Sequence, residues 1–185
     1  MPVGTDADGL PLVTGEYPLI DADPHFFRVV RFFRLSDLVT MSAFIAGAPV
    51  ITGLMDYHNY FQLTTSFSEN LTALKHCVRQ SRSVLGPWPS IALGTIGGFL
   101  YAYQRSCARF FGLSENEAEV KKDMREMRNR ARLGLPLYGE SSLTPELQLT
   151  AAKYTRYSPL KLSVVPLVNI VNHPYHGIDT SKYYS

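Results

Sequence analysis

The chain has 185 residues, of which 18 are basic and 16 acidic, and its formal net charge is only +2. The basic residues are interleaved with acidic ones, which argues against nucleic acid as a partner. Two cysteines without CxxC spacing, Cys77 and Cys107, argue against a disulfide scaffold and a zinc site. All charged residues lie outside two stretches, residues 38–55 and 84–104, and this uneven distribution is the first clue to the fold.

The N-terminal segment, residues 1–37, shows neither the basic start and apolar centre of a secretory signal nor the Arg-rich pattern of a mitochondrial presequence. We therefore expect no cleavable targeting sequence, although membrane segments can themselves carry targeting information. Arg28, Arg31 and Arg34 stand just before the first uncharged stretch. Their position predicts contact with lipid headgroups.

The first uncharged stretch, residues 38–55, has the length of a transmembrane helix. Its 18 residues would rise about 27 Å, close to the hydrocarbon thickness of a bilayer. Pro49 lies inside this stretch and predicts a kink, because proline removes one backbone hydrogen bond. The connecting loop, residues 56–83, follows and contains a glycosylation sequon at Asn70.

The second uncharged stretch, residues 84–104, is predicted to span the membrane as well. Trp88 lies near one end and two tyrosines lie near the other, as in helices that carry aromatic residues at both interfaces. Arg105 and Arg109 follow and are also expected at headgroup level. Basic residues are more numerous outside the two spans than in the connecting loop, so the positive-inside rule places both termini on the matrix or cytosolic side.

Small residues four positions apart predict close packing of both spans against other helices. The positions are Ala43, Gly47, Gly94 and Gly98. Because glycine, proline, serine and threonine leave both spans only marginally apolar, their insertion would depend on packing against protein. The alternative is a pair of buried helices in a soluble bundle, and the arginines that flank the spans argue against it.

Residues 105–134 form a charged segment that predicts an exposed helix. Ser114 and Glu117 fit a capping box at its start, and Gly134 marks its end. The run EAEVKKDMREMRNRARLG, residues 117–134, has six basic and four acidic residues, which are typical of a solvated face, and contact with anionic headgroups is the alternative. Residues 135–185 carry scattered proline, glycine and tyrosine, which predicts an extended C-terminal tail along a partner. The predicted fold class is an all-α membrane protein with two transmembrane helices.

Two short runs contain residue types that can bind metals. The run DADPHF supplies Asp21, Asp23 and His25, and HPYH supplies His173 and His176. Asp-x-Asp before proline is more typical of a turn or a helix cap, and the histidine pair has no glutamate or third ligand beside it. We therefore predict no catalytic, cofactor-binding or metal-binding residue. Neither span contains the charged residue that a transport path usually needs.

Several stretches resemble the 21 kDa (20.9 kDa) accessory subunit family of fungal mitochondrial complex I, the NADH:ubiquinone oxidoreductase. The run EYPLIDADPHFFRVVRFFRLSD, residues 16–37, is similar to the N-terminal signature of that family. The later runs ENEAEVKKDMREM, GLPLYGES and VNIVNHPYHGIDTSKYY are similar to its C-terminal region. The resemblance extends over most of the chain from Glu16 onward.

The resemblance implies a non-catalytic subunit of the mitochondrial inner membrane that stabilises the membrane arm or assists its assembly. Its partners would be other membrane-arm subunits and membrane lipids, with cardiolipin as one candidate. FMN, iron–sulfur clusters and quinone would be bound by other subunits. The alternatives are a small membrane transporter or membrane enzyme that acts alone, and an endoplasmic reticulum protein glycosylated at Asn70.

Overall fold

A computed structural model describes residues 3–6, 9–66, 87–160 and 168–184, with the backbone alone at Val3, 56–66 and Pro87. The described residues form two short strands, five α-helices and two 3₁₀ turns. The elements are β1 (Val3–Thr5), β2 (Pro11–Val13), α1 (Phe26–Arg31), α2 (Leu35–Ser66), α3 (Pro87–Phe110), α4 (Glu117–Arg132), α5 (Pro145–Thr155) and the turns Ser158–Leu160 and Ser181–Tyr183. The strands pair antiparallel, with Val3 opposite Val13.

The chain divides into two compact units, unit 1 with residues 1–33 and 103–185 and unit 2 with residues 34–102. Apolar side chains from both ends of the sequence share the core of unit 1, because each segment alone is too short to bury them. The core contains Ile20, Val29, Phe32, Phe110, Phe111, Met127, Tyr157 and Tyr183. Phe111 and Tyr157 meet edge to face there, with ring centroids 4.8 Å apart.

The ends of α4 differ in how well the sequence predicts them. The predicted capping box does not form, because the helix begins at Glu117 and the amide of Glu117 donates to Oε1 of Glu115 at 3.0 Å. The predicted end is confirmed. Gly134 has a φ of 65°, and the amides of Gly134 and Leu135 donate to carbonyls of the last turn at 3.1 Å and 3.0 Å. This is the Schellman arrangement, which a glycine adopts without strain.

The C-terminal part of the chain is not the extended tail that its composition predicts. Helix α5 occupies Pro145–Thr155, and the side chains of Asn169, His173 and His176 are buried. This region also bonds to the N-terminal segment, where the amide of Ala22 donates to the carbonyl of His176 at 3.0 Å. The partners are about 150 residues away in sequence, so local periodicity contains no sign of them.

Helix α2 of unit 2 continues through Pro49 without interruption. Within the described residues, its part Leu35–Met55 is the one segment that is long and apolar enough to cross a membrane, and none of its most apolar window is buried. The large apolar side chains that α2 leaves exposed are Leu35, Leu38, Val39, Phe44, Val50, Ile51, Leu54 and Met55. Helix α3 is long enough, but its glycine, serine and threonine content keeps it below that apolarity, so the second predicted span is not shown.

Candidate functional site

Four charged or titratable side chains form a buried polar network in unit 1, which consists of Asp21, Arg28, Asp123 and His176. Arg28 donates from Nη1 to Oδ2 of Asp21 at 2.5 Å and from Nη2 to Oδ1 of Asp123. Nδ1 of His176 lies 2.7 Å from Oδ1 of Asp21. None of the four residues is more than 8% exposed. One guanidinium is therefore shared by two carboxylates away from bulk water.

The network joins segments from across the sequence. Asp21 lies in a turn before Pro24, in which its Oδ1 also accepts the amide of Asp23 at 2.9 Å. Arg28 is on the short helix α1, and Asp123 is on the buried stripe of α4. His176 comes from the C-terminal segment, where its Nε2 lies 2.7 Å from the carbonyl oxygen of His173.

Asp23 organises a second set of contacts beside the network. The hydroxyl of Thr155 donates to its Oδ2 at 2.5 Å, and Nε2 of His173 lies 3.0 Å from the same oxygen. Asn169 donates from Nδ2 to the backbone carbonyl of Asp23 at 3.0 Å. The two aspartates of DADPHF thus pair with the two histidines of HPYH, and the rings of His173 and His176 stack with centroids 4.7 Å apart.

The buried environment shifts the titration of the charged groups in the network. Burial by itself would raise the pKa of Asp21, but His176 and Arg28 together hold this pKa below its ordinary value. Burial also raises the pKa of Asp123, and Arg28 and the hydroxyl of Tyr183 only partly offset that rise. The pKa of Arg28 is raised, because Asp21 and Asp123 outweigh the effect of burial. Arg28 therefore remains charged over the working pH range.

The hydrogen bonds of the network hold distant segments of unit 1 together. Both ring nitrogens of His176 are engaged, one with a carboxylate and one with a carbonyl, so the ring has no free nitrogen to act as a base. Among the residues that the structure describes, no three His, Cys, Asp or Glu side chains are grouped to hold a metal ion. What the arrangement does is fasten α1, α4 and both chain ends to one another.

A second buried ion pair lies in unit 1. Nε of Arg109, near the end of α3, is 3.0 Å from Oε1 of Glu119 on α4, and each side chain is at most 5% exposed. Asn116, the residue before α4, donates from Nδ2 to the carbonyls of Pro18 at 2.8 Å and Arg109 at 2.7 Å. These bonds fix the turn between the two helices.

Unit 2 contains a close contact between α2 and α3 at two glycines. A Cβ placed on Gly94 would lie 2.5 Å from the carbonyl oxygen of Phe44, and one on Gly98 would lie 2.9 Å from Cβ of Phe44. Real Cβ atoms do not approach backbone so closely, so only glycine allows this helix separation. The hydroxyls of Thr52 and Ser90 add a hydrogen bond of 3.1 Å between the helices.

Comparison with known proteins identifies the family. The family model described as NADH-ubiquinone oxidoreductase complex I, 21 kDa subunit matches residues 14–115, and the model of the C-terminal part of that subunit matches residues 124–185. The chain is also 42% identical over 173 residues to the NADH-ubiquinone oxidoreductase 20.9 kDa subunit of Neurospora crassa, which covers 91% of this chain and 81% of the relative. The chain belongs to the complex I 21 kDa subunit family.

Membership in the complex I 21 kDa subunit family confirms the resemblance that the sequence shows. The buried network connects the regions that the two family models match. Asp21 and Arg28 fall within the region matched by the first family model, and His176 falls within the region matched by the second. The two regions are therefore interlocked in one unit.

The predicted headgroup arginines have different environments in this family member. Arg28 and Arg109 lie in the buried ion pairs described above, so headgroup contact would compete with Asp21, Asp123 and Glu119 for their charge. The side chain of Arg31 is 58% exposed and pairs with Glu126, Arg34 is half-buried, and Arg105 is exposed. Contact with lipid headgroups remains a prediction for all five of these arginines.

The predicted packing residues also differ from one another. Gly94 and Gly98 lie at the contact with α2, whereas Ala43 is exposed and Gly47 has nothing within 4 Å of a built Cβ. Cys107 is a buried free thiol. Cys77 and Asn70 lie outside the described residues.

The sequence pattern predicts a turn or a helix cap at Asp21 and Asp23 and no metal site at His173 and His176, and it does not predict that the four side chains meet. A signal for part of the network was nevertheless present. Glu119, Asp123 and Met127 recur four residues apart on α4 and are all buried. Acidic residues at the spacing of a buried apolar position indicate buried cationic partners, because an unpaired buried carboxylate is costly.

We expect acid to destabilise unit 1 through Asp21. The folded-state pKa of Asp21 is lowered, so its contribution to stability is present above the ordinary carboxyl pKa of 3.8 and is lost as the pH falls through the folded value. Asp123 has a raised pKa and acts in the opposite sense, since its contribution is lost as the pH rises. Thermal unfolding of the detergent-solubilised chain by circular dichroism between pH 7 and pH 2 measures the sum. In Asp21→Asn the unfolding temperature should fall less at acidic pH than in the wild type. An equally steep fall in that variant would contradict the assignment.

Proposed function

We propose that this chain is a non-catalytic accessory subunit that inserts into the mitochondrial inner membrane and stabilises the membrane arm of complex I. Family membership supports assignment to the complex. The observation that carries the membrane role is helix α2, whose apolar window in Leu35–Met55 is not buried by any part of the chain that the structure describes. The apolar side chains that this window exposes are stable only against lipid or against other subunits.

Helix α3 is proposed as the second span, within residues 84–104. Its own composition is only marginally apolar, but the glycine contact with α2 would allow the two helices to insert as a pair. Two spans place both termini on one side, and the larger number of basic residues outside the spans supports the matrix side. The remaining apolar surface of α2 would then face other membrane-arm subunits or lipids, with cardiolipin as a candidate.

The buried network supports a structural role in place of a chemical one. Its charged groups pair with one another and join four segments, which is the arrangement of a rigid unit that presents a fixed surface. FMN, iron–sulfur clusters and quinone are accordingly proposed to lie on other subunits.

Carbonate extraction and native electrophoresis of solubilised mitochondria test this proposal. The chain should stay in the carbonate pellet and migrate with assembled complex I. Deletion of the chain should lower the amount of assembled complex and leave the iron–sulfur signals per remaining complex unchanged in paramagnetic resonance spectra. Migration as a free protein would favour a transporter or enzyme that acts alone. Loss of one cluster signal on deletion would contradict a purely structural role.

A further inference from the structure

The acidic residues and the basic residues of α4 differ in their partners. Three of its four acids pair with arginines on other segments: Glu119 with Arg109, Asp123 with Arg28, and Glu126 with Arg31. The fourth, Glu117, lies 2.5 Å from the ammonium of Lys121. The acids are thus used within unit 1, and most cations of α4 have no acidic partner in the described part of the chain.

The cationic face of α4 consists of Lys122, Arg125, Arg128 and Arg132, with Arg31 of α1 beside it. These five side chains line one surface groove, in which Glu126 is the single acidic residue and is already paired with Arg31. In the part of the chain that the structure describes, Arg125, Arg128 and Arg132 are exposed and make no hydrogen bond or ion pair. Their spacing of three and four residues places them on the same side of the helix.

Lys122 packs against the ring of Phe32 beside Arg31. Its Nζ lies 4.0 Å above the ring of Phe32 and donates to the carbonyl of Arg31 at 2.8 Å. Partial burial lowers the pKa of Lys122, and the charge of Arg31 lowers it further. A face that gathers cations against their mutual repulsion is stabilised by an anionic partner.

We propose that the cationic face binds the anionic headgroups of phospholipids at the membrane surface. The inference rests on the proposed insertion of α2. Arg31 precedes Leu35, the first residue of α2, by four residues, and the chain between them can reach at most about 14 Å. Because α4 contacts Arg31 through both Glu126 and Lys122, the cationic face includes a residue that the chain tethers to the first residue of the span. Clusters of basic residues at that position attract anionic lipid at roughly 1 kcal/mol, or about five-fold in association, for each residue.

Spin-labelled lipids in bilayers that contain the full-length chain test the proposal. The host lipid is phosphatidylcholine, and the probes are trace spin-labelled phosphatidylglycerol and phosphatidylcholine. The wild-type chain should associate preferentially with phosphatidylglycerol, and high salt should weaken that preference. Arg128→Gln should lower it by up to about five-fold, and a further Arg125→Gln should lower it again. Lys153→Gln is the matched control, because Lys153 is exposed on α5 and lies outside the groove.

Three results would overturn the lipid assignment. Equal association of both probes with a wild-type chain that resists carbonate would remove this inference and leave the proposed function intact. An equal loss of preference in Arg128→Gln and Lys153→Gln would show a general charge effect in place of a site. Weaker migration of Arg128→Gln with complex I, without any lipid preference in the wild type, would assign the face to an acidic protein surface. Failure of the chain to remain in the carbonate pellet would instead contradict the proposed function.

Discussion

Replacing Arg28 by glutamine should lower the free energy of unfolding of unit 1 by about 3–5 kcal/mol. The substitution leaves Asp21 and Asp123 buried without their shared cation, and the desolvation of two carboxylates is then uncompensated. A typical domain has a free energy of unfolding of about 5–15 kcal/mol, so the variant should be close to unfolded at 37 °C. The midpoint of thermal unfolding of the solubilised chain and its abundance in mitochondria measure the effect.

Arg31→Gln is the matched control for this substitution. Arg31 lies three residues further along α1 and also pairs with an acidic residue of α4, but its side chain is 58% exposed. An exposed pair contributes about 0–1 kcal/mol, so this variant should unfold close to the wild-type temperature. Arg28→Lys should give an intermediate loss, because an ammonium cannot reproduce the planar fork that reaches both carboxylates. Similar losses for Arg28→Gln and Arg31→Gln would show that the buried network does not stabilise the unit.

Replacing Gly94 by alanine should force α2 and α3 apart and cost about 1–3 kcal/mol in unit 2. The added Cβ would meet the carbonyl oxygen of Phe44 at 2.5 Å and Cβ of Ala48 at 2.9 Å, and the backbone of α2 cannot yield as a flexible side chain would. In the complex the variant should reduce the amount of chain that migrates with complex I. Heating the solubilised chain and recording its helical circular dichroism gives the direct measure.

Gly97→Ala and Gly47→Ala separate helix packing from helix propensity. A Cβ on Gly97 would lie 3.8 Å from Cδ1 of Phe44, which is an ordinary contact, and one on Gly47 would meet nothing within 4 Å. Alanine is favoured over glycine inside a helix by about 0.5–1 kcal/mol, so both control variants should be as stable as the wild type or slightly more stable. If Gly94→Ala behaved as these controls do, the close approach of the two helices would be wrong.

The predicted elements agree with the structure where the signal is local. The apolar run within 38–55 becomes part of α2, the charged segment becomes α4, and Gly134 ends that helix. Length, hydropathy and a glycine that tolerates positive φ are all readable within a few residues. The start of α4 was not predicted, because Glu115 accepts from the amide of Glu117 in place of the predicted capping box. Helix α5 was not predicted, because tertiary contacts stabilise it and local periodicity does not indicate it.

The amino-acid sequence by itself determined the family and the candidate span of α2, since each depends on contiguous stretches of sequence. Only the tertiary structure decided that Arg28 and Arg109 are buried with carboxylates, and that the C-terminal segment closes over the N-terminal one. The physical reason is that a charged side chain is stable in water, at a headgroup or beside an opposite charge. Which of these environments it occupies depends on residues that the fold brings from far along the chain.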